Sequence, residues 1–407
     1  MGLSDAMIVG ALTTFATQYS HPSEVNMNTA ARVTGSTAPS IKRPHRTLRA
    51  AALIFGIGWC AISVVAQESE WIRPQKAGDP LVWGRRDGIV FGLYSQGGIR
   101  GPRGLLRVGI FLPETRSPEL LNFIAVEPVV AGAGARFDRM AFSELEMSQL
   151  DPGQRGKRMW VDAGSASVDD AVRGSFETLH TGKATVERLS VRIDVERFTQ
   201  NGAHVYVVAS VDGDHPNELR LRVFAERDSP PLDELTLTAT MGNYERLRLL
   251  WLKDHVVDSR QLFPDYDGDA FVEQYNYPLP EMLRSGDGDA IVFCTSNERD
   301  PGKTPGNSTA HWVYTLPRLT QYWRVPGHDV EPDLRVRVNA RRDYWASKAP
   351  VLGGIAFENF EVRERFVPGQ TFVYGITEQE PWDFYRGSSH LAPFVEQAAG
   401  TVSPARN

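Results

Sequence analysis

Apolar residues recur at every second position in one segment after another of this 407-residue chain, and no other feature restricts its fold as tightly. In LSVRIDVERF, Leu189, Val191, Ile193 and Val195 fall on one side of an extended chain. Ser190, Arg192, Asp194 and Glu196 fall on the other, as a half-buried strand requires. The alternation returns in ELRLRVFAE (Leu219, Leu221, Val223 against Arg220, Arg222), in ELTLTATM (Leu235, Leu237, Ala239) and in LRVRVNARRDYW (Leu334, Val336, Val338 against Arg335, Arg337). Strands with one dry and one wet face belong to antiparallel sheets. Asn201-Gly202, Asp212-Gly213, Asp267-Gly268 and Asp287-Gly288 are dipeptides that tolerate the positive φ of hairpin turns. Helical spacing is confined to residues 138–150 and 390–399. The pattern predicts an all-β fold, a large antiparallel β-sandwich with few short helices, over residues 67–407 as a single domain. A division into two sandwiches near residue 180 is the alternative.

The N-terminal segment reads differently. Residues 1–49 are rich in Ser, Thr and Ala and end in a basic run, Lys42, Arg43, His45, Arg46 and Arg49. An uncharged apolar stretch, AAALIFGIGWCAISVVA, follows from Ala50 to Ala66, with Val64 and Ala66 where a signal peptidase needs small or β-branched residues. Residues 1–66 therefore read as a signal peptide, with Met27 as a second plausible start and residues 1–26 as an artefactual extension. Secreted or periplasmic localisation is expected, with no stable membrane span after cleavage. Amino-terminal sequencing of the protein exported by its native host should begin at Gln67; an intact Trp59–Ala66 segment in the membrane fraction would contradict this.

Removing residues 1–66 leaves 39 basic and 48 acidic side chains, a net of −9. An acidic body lacks the cationic field that binds phosphate backbones, so no nucleic acid partner is expected. Cys294, in the apolar run AIVFCTS, is then the remaining cysteine and reads as a buried structural residue. G-x-S-x-G, H-E-x-x-H, the phosphate loop and the dinucleotide fingerprint are missing, which removes the corresponding hydrolases, zinc proteases, NTPases and dehydrogenases.

Three groups of residues carry candidate chemistry. In FENFEVRERF, alternation places Glu358, Phe360, Val362, Glu364 and Phe366 on one face and Asn359, Glu361, Arg363 and Arg365 on the other. Glu358, just after Gly353-Gly354 and on the more apolar face, is the candidate acid or base, because burial raises a carboxyl pKa. Glu361 beside Arg363 reads as a solvated ion pair. Glu358 and Glu364 are about 20 Å apart along a strand, so a second carboxylate for one glycosidic bond has to come from another strand. In FPDYDGDAF, Asp265, Asp267 and Asp269 offer hard oxygens that suit calcium, although a plain acidic turn is favoured and no cofactor is expected. Trp312, Trp323, Arg324, Arg341 and Trp345 form the candidate saccharide platform, with His255, His311 and Tyr344 as further acid–base candidates.

WGRRDGIVFGL, GGIRGPRGLLRVGIF, LLNFIAVEPV, ELEMSQLDPGQRGKRMW, LTATMGNYERLRLLWLKD and GGIAFENFEVRERFVPGQTFVYGIT together resemble a group of secreted proteins of polysaccharide-degrading environmental bacteria, from which no activity carries over. ELRLRVFAERDSPPLDELTLTATMGN is similar to the strand, loop and returning strand of the galactose mutarotase-like supersandwich. The resemblance implies a supersandwich-like fold and a polysaccharide or oligosaccharide partner. The expected function is a secreted carbohydrate-active enzyme, a glycoside hydrolase or polysaccharide lyase. The alternative is a non-catalytic carbohydrate-binding or cell-surface β-sandwich protein.

Overall fold

The alternating segments become strands whose apolar faces turn into the core as expected, but the second faces of the segments at 235–240 and 336–340 are buried as well instead of meeting water. The structure, a computed structural model, describes residues 69–381 apart from 77–78, 94–105, 133–173, 183, 196, 199–200, 241, 269–270, 300, 302–313, 315 and 345–348. The segments at 138–150 and 390–399 expected to be helical lie outside the described residues.

Two large antiparallel sheets contain nearly all of the regular structure. In spatial order the first comprises β1 (Trp71–Ile72), β2 (Val82–Arg85), β3 (Ile89–Gly92), β4 (Leu106–Leu112), β5 (Ser117–Val130), β10 (Leu232–Thr240), β18 (Ala356–Arg365), β17 (Arg335–Arg341) and β13 (Tyr275–Pro278). The second comprises β12 (Val256–Asp258), β11 (Leu247–Trp251), β15 (Ala290–Ser296), β16 (Thr320–Val325), β19 (Thr371–Thr377), β9 (His215–Ala225), β8 (Val205–Asp212), β7 (Ala184–Asp194) and β6 (Ser175–Thr181). The short β14 (Leu283–Arg284) pairs with β15. β5 precedes residue 180 and pairs with β10 beyond it, so described strands on both sides of that position share one sheet. Helix among the described residues amounts to α1 (Ser259–Leu262), capped by the Asp258 side chain, a 3-10 turn at Leu279–Glu281 and the single residue Pro381. None of it is long and apolar enough to cross a membrane.

The apolar faces meet between the layers. Leu189, Val191 and Ile193 of β7, Leu221 and Val223 of β9, Leu235 and Leu237 of β10, and Val336 and Val338 of β17 are all buried in one core. Asp287-Gly288 turns the chain between β14 and β15, with Gly288 at φ +84°, and Asp212-Gly213 lies in the β8–β9 hairpin. Asp267-Gly268 falls instead in the irregular stretch between α1 and β13.

Polar side chains also join the layers. Trp323 of β16 donates its indole N–H to the Phe360 carbonyl of β18 at 2.9 Å, and Asn122 of β5 donates to Gln321 Oε1 of β16 at 2.8 Å. Gln321 also donates to Glu245 and accepts from the Tyr374 hydroxyl. Cys294 is free and buried, so no covalent bond contributes among the described residues. At one end of the sandwich, the fully buried Arg248 of β11 forms an ion pair with Glu298 at 2.6 Å. It also donates to the carbonyls of Leu352, Gly354 and Ile355, on the loop that enters β18. Gly353, at φ +78°, would bring a Cβ to 3.2 Å from Arg248 Nη2. Gly353, just before β18, therefore makes room for an internal arginine.

Candidate functional site

β18 lies near the middle of its sheet, hydrogen-bonded to β10 on one side and β17 on the other, and from Ala356 to Glu364 every residue is buried. This corrects the expectation of one solvated face. The register also shifts between Asn339 and Ala340, leaving Glu358 as the extra residue of a bulge while Phe357 takes the place opposite Ala340. A bulge reverses the alternation beyond it. Phe357, Phe360 and Val362 consequently point into the core, and Asn359, Glu361 and Arg363 lie on the face turned away from it.

That outward face is polar across three strands. Its rows follow directly from the register: Thr236 opposite Arg363, Thr238 opposite Glu361, and Thr240 opposite Asn359, with Arg335, Arg337 and Asn339 completing the rows on β17. Glu361, 1% exposed, accepts a hydrogen bond from Gln274 Nε2 at 2.9 Å on Oε1, and Arg337 Nε lies 3.5 Å from Oε2. Burial pushes its carboxyl up to about 7, against the pull of Arg337 and Arg363, so both protonation states are accessible near neutral pH. Arg363 is held by Glu234, which also binds Arg335 at 2.6 Å. Two arginines accordingly lower the Glu234 carboxyl to about 2 despite partial burial.

Among the described residues, Thr236 Oγ1, Asn359 Oδ1, Glu361 Oε2 and Arg337 Nη1 have no hydrogen-bond partner. Buried polar atoms without partners cost free energy comparable to a lost hydrogen bond. Four of them on one face of three neighbouring strands is the arrangement expected where a polar ligand completes the network. The face opens at its β13 edge, where Gln274 is half-buried, Asn276 exposed, and Phe271 46% exposed beneath the Arg341 guanidinium at 5.0 Å. A second carboxylate reaches the same face from β5. Glu127 accepts from Thr238 Oγ1 at 2.9 Å, and Thr238 sits directly opposite Glu361. β10 lies between their strands, so two strand spacings put the backbones of Glu127 and Glu361 on the order of 10 Å apart.

The residues singled out from sequence are dispersed. Glu358 is buried at the bulge, whereas His255 is exposed in the turn between β11 and β12 of the other sheet. Trp323 is completely buried against Tyr374 and presents no ring face on which a sugar can stack, and Tyr344, the acid–base candidate, is completely buried against Tyr244. Arg324 lies in the second sheet, paired to Glu218 and, at 3.0 Å, to Asp289, where these charges hold it as an internal crosslink. Arg341 alone of the described candidates joins the polar face. His311, Trp312, Trp345 and Asp269 lie outside the described residues. Asp265 and Asp267 are exposed. The one group of metal-capable side chains among the described residues is Asp212, Asp214 and His215, in which Asp212 is bound by Arg188 and Arg220. Chelation with EGTA is expected to leave the melting temperature unchanged. A fall restored by calcium and abolished in Asp267→Asn would make that loop a site.

Gln274, Arg337, Thr238 and Glu127 were not anticipated. The usable signal was ELTLTATM, whose second face carries Thr instead of the Arg, Asp and Glu of its neighbours: threonine tolerates a covered sheet surface that unpaired charge does not. No family profile matches this chain and no curated protein is similar to it.

Proposed function

We propose that this chain is an exported carbohydrate-active enzyme, a glycoside hydrolase or polysaccharide lyase, that takes its saccharide at the β13 edge of the polar face, with Glu361 in place of Glu358 as acid or base. The observation that carries this reading is the buried carboxyl of Glu361, accessible in both protonation states near neutral pH and flanked by unpartnered donors and acceptors. Sugar hydroxyls both give and accept hydrogen bonds, so they suit a face that lacks partners of both kinds. Glu127 supplies the second carboxylate that hydrolysis requires. In a lyase reaction, Arg337 would neutralise a uronate carboxylate while the Glu361 carboxylate removes the α proton; the freed electron pair forms the double bond as the glycosidic C–O bond breaks, and the leaving oxygen takes a proton from solvent. A non-catalytic saccharide-binding role is favoured by one feature, the exposed Phe271 ring stacked under Arg341.

The discriminating experiment incubates the full chain with a panel of neutral and acidic polysaccharides. It follows reducing ends together with the ultraviolet absorbance of unsaturated products. Reducing ends without that absorbance identify a hydrolase, both together identify a lyase, and retention on a polysaccharide without either signal identifies a binding protein. Neither cleavage nor binding across the panel would refute the saccharide reading.

A further inference from the structure

Resting on the saccharide reading above, we infer that the ligand is an anionic saccharide whose carboxylate or sulfate ester is received by Arg337 at the β13 edge of the polar face. The other cations of that face are already matched. Arg335 and Arg363 share Glu234. Arg107 lies over the Phe123 ring at 4.1 Å and Arg341 over Phe271 at 5.0 Å. Arg337 is 8% exposed, and its ion-pair partner is Glu361 at 3.5 Å, beyond a good hydrogen bond. Among the described residues its Nη1 has no acceptor, and the facing Glu361 Oε2 has no donor.

A guanidinium donor and a carboxyl oxygen left open side by side define the missing group. An incoming carboxylate or sulfate accepts from Arg337 Nη1 and, when Glu361 is protonated, from Glu361 Oε2 as well. A neutral hydroxyl would fill the hydrogen-bonding positions and leave the guanidinium charge uncompensated whenever Glu361 holds its proton. Arginine's planar fork matches such oxyanions in shape as well as sign. Access is from the side where Gln274 is half-buried and Asn276 exposed. The chain as a whole carries a formal charge of −6, which repels a polyanion at long range, so recognition has to come from this local arrangement.

The test compares polygalacturonate with its carboxyl-reduced form, which has the same backbone without the charge. Alginate, hyaluronan and dextran sulfate are added as further polyanions, and affinity is measured by gel retardation or calorimetry on the full chain. Native uronate polymer should bind on the order of tenfold or more tighter than the reduced polymer, the gain expected from one charge-assisted hydrogen bond. Arg337→Gln should erase that difference and Arg337→Lys retain part of it. Circular dichroism and the melting temperature confirm that each variant is folded; if Arg337→Gln unfolds, the lysine variant together with the native and reduced polymers carries the test. Binding of dextran sulfate that depends on Arg337, without binding of the uronates, assigns a sulfate ester as the recognised group. Equal binding of native and reduced polymers overturns the anionic inference and leaves the saccharide reading intact. Failure of every charged and neutral polysaccharide to bind overturns both.

Discussion

Replacing Glu361 with glutamine is expected to lower turnover on a cleaved polysaccharide by about two to four orders of magnitude, the usual contribution of a positioned acid or base. Affinity should change little, because the amide keeps an oxygen to accept from Gln274. The pH dependence of kcat/KM provides a second readout. A carboxyl raised to about 7 by burial should give a limb near neutrality, rising with pH if Glu361 acts as base and falling if it acts as acid. That limb should be missing from any residual activity of the variant. Glu358→Gln makes the informative comparison, since Glu358 sits at the bulge and should affect stability more than turnover. Glu127→Gln should also reduce turnover if the reaction is hydrolysis, and much less if it is elimination. Full turnover by Glu361→Gln would remove it from the chemistry, and loss confined to Glu358→Gln would restore that residue as the acid or base.

Stability should fall as pH rises from about 5 to about 8, the reverse of ordinary acid denaturation. Glu245 and Glu364 are both buried, and burial lifts each carboxyl to about 8. Below the unfolded value of about 4.5 both states hold the proton and these groups have no effect on stability. Between about 4.5 and 8 the unfolded chain releases the proton and the folded chain keeps it, at roughly 1.4 kcal/mol per pH unit for each group. Two such groups remove several kcal/mol, a large part of a typical domain's stability. Glu234, lowered to about 2, works in the opposite direction, and its contribution is lost only as pH falls from about 4.5 towards 2. Melting temperature should therefore be highest near pH 4–5. Glu245→Gln, which keeps an acceptor for Gln321, should flatten the decline on the alkaline side. A melting temperature that climbs from pH 5 to pH 8 in the wild type, or an unchanged slope in Glu245→Gln, would show that these groups are not held protonated.

The strand faces were legible because alternation reports directly on the layer boundary. Leu189, Val191 and Ile193 needed only one dry side, and β7 sits towards the sheet edge where its other side meets water. β18 carries the same kind of pattern, but it is flanked by β10 and β17, and its charged side is covered too. Spacing along one strand contains no information about its neighbours, so Glu361 looked solvated and Arg363 looked like its partner. The pairing that matters, Glu361 with Arg337, joins strands whose register is set by tertiary structure. The bulge at Glu358 was equally hidden, because one inserted residue leaves no mark on composition. Trp323 has the right chemistry for a sugar platform and Tyr344 for proton transfer, but aromatic rings fill cores and grooves alike, and here the core took both.

The central position of β18 also bears on when the chain can fold. Glu234 of β10 pairs with Arg365, and β17 takes its other long partner from the same late strand. A nascent chain that stops before Ala356 leaves both strands with unpaired edges, open to pairing with other chains. Completion of the first sheet is therefore a late event governed by loop closure across more than a hundred residues, which slows folding and lengthens the time spent as an aggregation-prone intermediate.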